Sequence, residues 1–529
     1  MVRSLILLAL VASGIGLVWY GLGQPVAMPP SPLAADEKLT CVSYTPFHGD
    51  QAPFSRPRIP EEQIAEDMER LSNLTSCVRT YAASGPERMV PEHASRHGLK
   101  VLQGIWLSRD LAENRNEIEA AIKLARSYPE TIDGLVVGNE ALLRGELSTG
   151  QVAAYLEEVR NRTGLPVTYA DVWEFWLKAP ELADAADFVT IHILPYWEDH
   201  PVSAEKAVAH VDAVRRRVAE AFPGKEIWIG EVGWPSAGRM REEALPSPAN
   251  QARVLSGVVA AAKKDGWKVN LIEAFDQPWK RQLEGTVGGN WGLFDNVERE
   301  PKFRFGEPVS NHKQWRLAAA LGIGAALLVF VSAWLAGKRR SWREDAAIAV
   351  MALASGLMFG WAALKLPQEG LLPFDRLIGA IMLALALAVP MAVAFAVSRG
   401  ARLHGFAMAL DPFRWRDREP VALGLAILLV AVAVMAMQAG LGLVFDPRYK
   451  DFPFAALTGP VVALAILAIM TSNGPPRPGI AEIVAASLLA GSALFIIVNE
   501  GIANWQALWF AGLLIVLALT VLRVRAAPG

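Results

Sequence analysis

Residues 133–143 read DGLVVGNEALL, an apolar run that is followed directly by an amide and a carboxylate, Asn139 and Glu140. The run has the length and the β-branched content of a buried strand. An unpartnered carboxylate in a core is strongly unfavourable, so Glu140 either faces solvent at the strand end or has a functional role in a cleft. The rest of the chain has to decide between these two interpretations.

Similar short runs recur on both sides of this stretch, and segments of helical length separate them. PEEQIAEDMERLSNL and RNEIEAAIKLARSYP, for example, carry apolar residues at helical spacing. Eight β-then-α units in about 275 residues predict an α/β fold, a (β/α)8 TIM barrel whose active site lies at the carboxyl ends of the strands. The predicted strands are 41–45, 77–81, 99–104, 133–138, 166–170, 187–193, 225–230 and 268–274.

The composition predicts membrane-spanning helices in addition to the barrel. The chain has 529 residues, is 53% hydrophobic and has a mean hydropathy of +0.27, which is too apolar for an ordinary soluble enzyme. Eight apolar runs each approach the roughly 20 residues that cross a bilayer. They are 5–21, 317–336, 346–364, 377–398, 421–445, 454–471, 480–498 and 505–522. We therefore predict a transmembrane anchor at 1–34, the barrel at 35–310, and a polytopic, seven-helix α-helical transmembrane domain at 311–529.

Basic residues predict the orientation in the membrane, because Lys and Arg gather in cytoplasmic loops. The basic loops follow the second and fourth runs, and alternation puts both chain ends on the same side as these loops. The residues concerned are Lys338, Arg339, Arg340, Arg343, Arg399, Arg402, Arg414, Arg416 and Arg418 in the loops, and Arg3, Arg477, Arg523 and Arg525 towards the ends. This predicts a multi-pass protein of a bacterial inner membrane, with cytoplasmic termini and residues 35–310 in the periplasm.

Residues 1–34 have an alternative interpretation as a cleaved signal peptide, since PVAMPPSPLAA offers small residues near a possible cleavage site. The length of the apolar run, and Trp19 and Tyr20 at its end, favour a retained anchor. Loss of this segment would not change the export of the barrel.

A second carboxylate occupies a position like that of Glu140. In KEIWIGEVGWPS, Glu231 ends the seventh predicted strand. The tips of strands four and seven can both point into the central cleft, where two carboxyl groups roughly 5 Å apart would suit a retaining glycosidase. The alternative is that both are ordinary exposed loop acids, and an inverting enzyme with a wider gap also stays open.

Aromatic and polar residues gather after the same strand ends. Sugars present flat C–H faces that stack on aromatic rings and hydroxyls that need fixed partners, so the pattern predicts a carbohydrate groove. A single tryptophan more often packs under a loop, and His192 alone more often is a satisfied core histidine. The aromatic set is Trp173, Trp176, Trp197, Trp234, Trp279 and Trp291, and the polar set is Tyr44, Arg79, Tyr81, His192, Tyr196, Glu273, Asp276 and Lys280.

Charge and cysteine content bear on nucleic-acid binding, on metal and cofactor sites, and on a disulfide. The formal net charge of −2 gives no reason to expect nucleic acid, and the sequence has neither zinc-type nor P-loop spacing, so we predict no metal and no cofactor. The two cysteines, Cys41 and Cys77, each open a predicted strand. They either form a disulfide between neighbouring strands or are two buried thiols.

Four motifs together resemble glycoside hydrolase family 17, the β-1,3-glucanase and β-1,3-glucanosyltransferase family. VVGNE resembles its acid/base motif and IGEVGWPS its nucleophile motif, while EAFDQPWK followed by GNWGLF resembles the eighth-strand signature. The resemblance covers about residues 40–306 and none of the C-terminal apolar region.

The resemblance implies a retaining enzyme with Glu140 as acid/base and Glu231 as nucleophile. It also implies that Asn139 reaches the sugar 2-hydroxyl and that Tyr196 contacts the nucleophile. Within the nucleophile motif, Val232 stands where plant members usually carry Thr. Three further departures concern the outer sugar contacts rather than the two carboxylates. These are His192, Leu194 and Gln277, which replace residues that are often Asn, Tyr and Glu.

The layout of anchor, barrel and polytopic C-terminus is similar to the NdvC-type proteins of rhizobia, which are associated with cyclic β-1,3/1,6-glucans. We therefore expect a periplasmic β-1,3-glucan transglycosylase that uses glucan donors and acceptors, with β-1,6 linkages among its products. Membrane lipid and a β-glucan synthase are the expected partners. An endo-β-1,3-glucanase and a non-catalytic glucan-binding assembly or export partner are the alternatives. A synthase is disfavoured because the predicted inner loops are too short for a nucleotide-sugar domain.

Overall fold

The computed structural model describes residues 2–370, 372–471 and 478–524. Packing divides the chain into two units. The barrel unit comprises Val26–Ala237 and Glu243–Val309. The helical unit comprises the chain up to Pro25, the short segment Gly238–Glu242, and the chain from Ser310 onward. The first helix, α1 (Val2–Gly23), therefore belongs to the helical unit although the barrel unit follows it in sequence.

The barrel unit contains a closed parallel barrel in which each strand pairs with the next and the eighth pairs with the first. This confirms the predicted (β/α)8 fold and all eight strands. Their interiors are almost continuously buried, which fits a parallel sheet covered by helices. The strands are β1 Cys41–Ser43, β2 Cys77–Arg79, β3 Lys100–Ile105, β4 Ile132–Asn139, β5 Val167–Val172, β6 Val189–His192, β7 Ile227–Val232 and β8 Lys268–Leu271.

Local sequence fixes where the helices around the barrel begin and end. The Asp110 carboxylate accepts the first free N–H groups of α4, and Ser148 and Gln151 form a capping box on α5, which ends at the left-handed Gly164. The helices are α2 Glu61–Ser72, α3 Val90–Arg96, α4 Leu111–Ser127, α5 Thr149–Thr163, α6 Trp173–Lys178, α7 Leu182–Ala185, α8 Ala204–Ala221, α9 Pro248–Asp265 and α10 Arg281–Gly288. Single 3₁₀ turns cover Pro53–Ser55, Gly85–Met89 and Pro278–Lys280.

Two contacts fasten parts of the barrel unit that are distant in sequence. Cys41 and Cys77 form a disulfide between β1 and β2, so of the two interpretations of the cysteines the bridge is the right one. At the edge of the unit, Val26 and Val309 exchange two backbone hydrogen bonds of 2.8 and 2.9 Å. The first and last residues of the barrel unit therefore lie side by side.

The helical unit is made of long apolar helices. Among the described residues, eight helices are long and apolar enough to cross a membrane, namely α1 and all the later helices except the short α14. Arg477 and Arg525, which the charge argument used, lie outside the described residues. The later helices are α11 Trp315–Leu335, α12 Trp342–Glu369, α13 Pro373–Arg399, α14 Phe406–Leu410, α15 Pro420–Phe445, α16 Phe454–Thr471, α17 Ile480–Glu500 and α18 Trp505–Arg523.

Helix α1 is packed into the helical unit. Its residues Ile15 and Trp19 are buried, and a Cβ on Gly356 of α12 would lie only 2.4 Å from the Ile15 Cδ1 atom. Near the start of α1, the Arg3 Nε atom donates to a carboxylate oxygen of Asp345 at 2.6 Å. Close packing against Gly356 and a partly buried ion pair therefore hold α1 against its neighbours.

Candidate active site

The chain turns sharply where β4 ends. Asn139 is the last residue of β4, and the residues on either side of it have positive φ angles, +93° at Gly138 and +53° at Glu140. A left-handed glutamate is uncommon, and such backbone strain clusters at functional sites. The Glu140 N–H donates to the Ala170 carbonyl at 2.8 Å, which fixes the turn. The carboxylate therefore leaves the core at the strand tip, where its side chain is 24% exposed.

Glu231, the second-last residue of β7, is held by two donors. The Arg79 Nη1 atom lies 3.0 Å, and the Tyr81 hydroxyl 2.8 Å, from the same oxygen, Oε1. Burial alone would raise the pKa of this carboxyl. Electrostatic interactions with His192, Arg79 and Lys280, together with the Tyr81 hydrogen bond, outweigh burial and lower the pKa. The site therefore favours an ionised Glu231.

Arg79, from the end of β2, connects the tips of β4 and β7. Its side chain is almost completely buried, and it donates to the Asn139 amide oxygen, to the Gly230 carbonyl at 3.0 Å and to Glu231. A guanidinium has five donors in a rigid fork, so the one Arg79 side chain can donate to acceptors on two strands. Arg79 was expected as a polar partner for sugar, and the structure places it behind the carboxylates.

His192, the last residue of β6, lies between the two carboxylates. Its Nδ1 atom is 2.8 Å from Glu140 Oε1, and its Nε2 atom is 3.7 Å from Glu231 Oε1 and 3.4 Å from Arg79 Nη1. The ring and the two carboxylates each place one ligand atom within 4.8 Å of the others, a spacing that a cation could bridge. Arg79 already supplies positive charge next to Glu231.

Further titratable groups surround this cluster. Lys280 forms an ion pair of 2.8 Å with Glu273, and burial raises the pKa of Glu273 to about 7 although Lys280 opposes the shift. Asp276 is paired with Lys302 at 2.7 Å. On the β5 side, burial raises the pKa of Asp171 to about 6, a shift that the nearby Glu140 increases and the Tyr169 hydrogen bond reduces. The two catalytic candidates therefore lie in a charged and largely buried environment.

The predicted aromatic rim divides into two groups. Trp173, Trp197 and Trp279 are partly exposed, so their rings can still reach a ligand. Trp176 and Trp234 are completely buried, and their indole N–H groups donate to backbone carbonyls of Thr190 and Leu245. Their predicted role as sugar platforms is wrong, because both faces of each ring are covered by the core.

Three other predicted contacts change in meaning. Trp291 is only 3% exposed, so it too contributes to packing rather than to an open rim. Tyr44 is buried and its hydroxyl donates to Asp67 at 2.8 Å, so it is not placed to meet a sugar. The described ring contacts of Tyr196 are edge-to-face with Trp197, Trp234 and Trp291. A contact between Tyr196 and the nucleophile stays a prediction, whereas Tyr81 supplies a hydroxyl to Glu231.

One exposed aromatic residue was missed by the sequence argument. Trp106 directly follows β3, is 40% exposed, and lies with its ring 4.5 Å from the Arg144 guanidinium. Arg144 in turn donates to the backbone carbonyls of Asn139 and Leu107. The rule applied to strands five to eight, an aromatic residue just past a strand end, would have found Trp106 had it been applied to strand three.

Comparison with known proteins finds similarity to glycoside hydrolases in this part of the chain. Residues 41–292 match the model of the BtgE/BtgC glycoside hydrolase domain. A "Glucan 1,3-beta-glucosidase" of Saccharomyces cerevisiae is 26% identical over 254 residues, which cover 44% of this chain and 81% of that protein. A "Probable family 17 glucosidase SCW4" of the same yeast is 24% identical over 261 residues, covering 48% of this chain and 65% of that protein.

Two solved structures are similar to about half of this chain. The glycoside hydrolase family 17 β-1,3-glucanosyltransferase of Rhizomucor miehei is 26% identical, with a TM-score of 0.45, over 51% of this chain and 97% of that one. An active-site mutant of the R. miehei enzyme in complex with laminaritriose has a TM-score of 0.46 and 25% identity, over 52% of this chain and all of that one.

Proposed function

We propose, from the premise that residues 41–292 form a glycoside hydrolase domain of family 17, that the protein is a retaining β-1,3-glucan transglycosylase. The substrate class follows from relatives that are named as 1,3-β-glucosidases. The observation that carries the stereochemical part is the spacing of the carboxylates. An oxygen of Glu140 and an oxygen of Glu231 lie within 4.8 Å of each other. Retaining enzymes hold their carboxyl groups about 5 Å apart, whereas inverting enzymes need roughly 6.5 Å or more to admit water.

In the first step, a carboxylate oxygen of Glu231 forms a bond to the anomeric carbon of the donor. The bond between this carbon and the glycosidic oxygen breaks, and protonated Glu140 gives its proton to that oxygen. The leaving half of the glucan departs as an alcohol, and the other half stays as a glycosyl ester on Glu231. Arg79 and Tyr81 support this step because they keep Glu231 ionised and fix its orientation.

In the second step, Glu140 acts as the base. It takes the proton of an incoming hydroxyl, the oxygen of that hydroxyl bonds to the anomeric carbon, and the ester bond to Glu231 breaks. An acceptor sugar gives a longer or branched glucan, and water gives hydrolysis. The partly exposed rings of Trp173, Trp197 and Trp279 support an acceptor-binding rim that competes with water. A sugar 6-hydroxyl as the acceptor would create a β-1,6 linkage.

Two other functions use the same domain. An endo-β-1,3-glucanase would have the same carboxylates and a weaker acceptor site, so that water wins the second step. A non-catalytic glucan-binding assembly or export partner would not need an ionised nucleophile. The two donors on Glu231 and its lowered pKa favour an enzyme over the binding protein.

We also propose that the barrel works in the periplasm of a bacterium and that the helices lie in the inner membrane. The disulfide between Cys41 and Cys77 supports an oxidising compartment. The eight apolar helices and the basic loops support both termini in the cytoplasm. The packing of α1 supports a retained anchor. In this proposal residues 1–34, 35–310 and 311–529 are the anchor, the catalytic domain and a transmembrane domain that meets lipid and a β-glucan synthase.

Purified full-length protein in detergent should be incubated with a β-1,3-linked glucose hexasaccharide, and the products followed by mass spectrometry and NMR. We expect products longer than the hexasaccharide, and a new 6-linked anomeric resonance if branches form. Glu231→Ala should abolish these products. Glu157→Gln, which changes an exposed carboxylate on α5, should leave them unchanged. Only shorter products at high acceptor concentration would identify a hydrolase, and none from folded protein would favour the binding function.

The location can be tested on the same full-length chain. A protease added to spheroplasts should degrade the barrel, whereas intact cells should protect it behind the outer membrane. An epitope placed at the N-terminus should survive in both, and it should migrate with α1 attached. Loss of the epitope during normal growth would overturn the retained anchor.

A further inference from the structure

We propose that His192 is a positioning residue for the acid/base: it occupies Oε1 of Glu140, so that the transferable proton is carried on Oε2. The inference rests on the proposed roles of Glu140 and Glu231. It concerns a position where the family pattern often has Asn, and it gives this histidine a task that sugar binding would not require.

The surroundings of the ring decide the direction of its hydrogen bonds. The nearest neighbour of Nε2 is the Arg79 guanidinium at 3.4 Å, which can only donate, whereas Glu231 Oε1 at 3.7 Å is beyond hydrogen-bond distance. A neutral ring with its hydrogen on Nε2 would therefore set two donors against each other. The remaining neutral tautomer and the imidazolium both carry hydrogen on Nδ1, 2.8 Å from Glu140 Oε1. In either state, His192 donates to Oε1.

The His192 ring cannot easily turn away from Glu140. The His192 side chain has no exposed surface, and its backbone is paired in register with Val172 of β5 and Glu231 of β7. A Cβ on Gly230 would come within 3.2 Å of the ring, so glycine at this position makes room for it. The ring is thus a rigid part of the barrel wall.

The buried His192 ring and its partner Glu140 differ in their exposure to the cleft. The Glu140 side chain is 24% exposed, so the carboxyl group has one oxygen held by the wall while the group still reaches the cleft. An N–H bond to Oε1 leaves Oε2 as the oxygen that bears the proton when Glu140 is the acid. The same bond keeps the carboxylate in place after the proton has left, when Glu140 must act as the base.

The charged and titratable groups around the ring come from four strands. Glu140 follows β4, Glu231 lies on β7, Arg79 on β2, and Asp171 on β5 interacts electrostatically with both His192 and Glu140. A change at His192 therefore alters the field at both carboxylates. An experiment on this residue has to separate the acid step from the nucleophilic step.

Leaving groups of different acidity make that separation. The full-length enzyme in detergent should be assayed with a 2,4-dinitrophenyl and an unsubstituted phenyl β-glycoside of a β-1,3-linked glucose disaccharide. Dinitrophenolate leaves without a proton, whereas phenolate needs the acid. We expect His192→Phe to lower kcat/KM for the phenyl substrate by about 100-fold, since general acid catalysis contributes about 10²–10⁴-fold. For the dinitrophenyl substrate we expect a loss of at most about threefold, because no acid step is involved.

Three further variants make the test decisive. His192→Gln, which can still donate an N–H, should recover most of the phenyl activity, and His97→Gln, at an exposed histidine after α3, should match the wild type. Glu140→Ala should show the same dependence on the leaving group as His192→Phe, but more strongly. Equal losses of His192→Phe on both substrates would overturn the positioning role. If Glu140→Ala showed no dependence on the leaving group, the proposed function itself would fail.

Discussion

The tips of β4 and β7 present the same side chain in opposite surroundings. Glu231 is 7% exposed at its side chain and is gripped by a guanidinium and a phenol, whereas Glu140 is 24% exposed and, among the described contacts, has its side chain bonded only to His192. The more enclosed carboxylate is the one surrounded by donors. An anion that must attack benefits from being fixed and ionised, and a group that must lose and regain a proton needs access and a lighter hold. The difference between the tips thus supports the proposed roles, Glu231 as nucleophile and Glu140 as acid/base.

The strongest way to break this assignment is to remove each carboxylate and supply azide. Glu231→Ala and Glu140→Ala should each lose up to about 10⁴-fold of wild-type activity. With an activated donor, azide replaces the missing nucleophile in Glu231→Ala and inverts the anomeric carbon once, giving an α-glycosyl azide. In Glu140→Ala it attacks the glycosyl ester, giving a β-glycosyl azide after two inversions. NMR of the products distinguishes them, and exchanged outcomes would reverse the roles.

The next largest effect should come from Arg79→Met, which removes the guanidinium from the β7 tip. Leaving a buried charge without its partner costs about 3–5 kcal/mol, and we expect kcat/KM to fall by about 100-fold. Because Arg79 helps to lower the pKa of Glu231, its loss raises that pKa, and the acidic limb of the pH profile of kcat/KM should move to higher pH. Arg79→Lys keeps the positive charge but not the planar guanidinium, so it should retain part of the activity. Arg144→Met, next to the β4 tip, should leave this limb in place; an equal movement would contradict the comparison.

A smaller effect is expected from Asp171→Asn, near the β4 tip. Burial raises the pKa of Asp171 from 3.8 to about 6, so the folded protein binds more protons than the unfolded chain between these values. The carboxyl group therefore makes folding less favourable as pH rises through this range. Relative to wild type, the variant should gain up to about 3 kcal/mol between pH 4 and pH 7.

Urea unfolding of the fragment 26–309 at both pH values, for variant and wild type, measures this gain. The exposed Glu157→Gln variant is the control, since its free energy of unfolding should change with pH in the same way as that of the wild type. A free energy of unfolding of Asp171→Asn that tracks the wild type at both pH values would mean that Asp171 is ionised in the folded protein as readily as in water.

The smallest effect should come from Tyr81→Phe, which removes one of the two donors on Glu231. A hydrogen bond to a charged group contributes about 1.5 kcal/mol or more, so we expect kcat to fall by about tenfold. The fold should persist because phenylalanine fills the same space. Retention of full activity would show that Arg79 alone fixes the nucleophile.

The fold was predictable because a parallel barrel leaves a regular record in sequence. Buried strands appear as short apolar runs, helices as amphipathic segments, and the position of Glu140 and Glu231 at strand ends brought them together. The actual strands β1, β2 and β8 end two or three residues earlier than predicted. Hydropathy cannot locate such an end, because apolar residues beyond the last ladder bond are still buried.

The site was less predictable where direction matters. Trp173 and Trp176 lie on one short helix, and only the second turns into the core, which is a property of the helix axis rather than of the residue type. His192 looked like a sugar contact or a core histidine, because a strand pattern does not state what the residues of neighbouring strands place opposite its ring. The disulfide stayed open for the same reason, since pairing depends on which strands become neighbours.

The paired backbones of Val26 and Val309 bring the two ends of the barrel unit together. A domain whose two ends meet can be inserted between two consecutive helices without pulling them apart, and it can be removed by joining two residues that are already close. Its original termini can also be linked, and new ones opened in a surface loop. The barrel unit is therefore portable, and exchange of barrels on one helical scaffold is a simple route by which such chains can acquire new specificities.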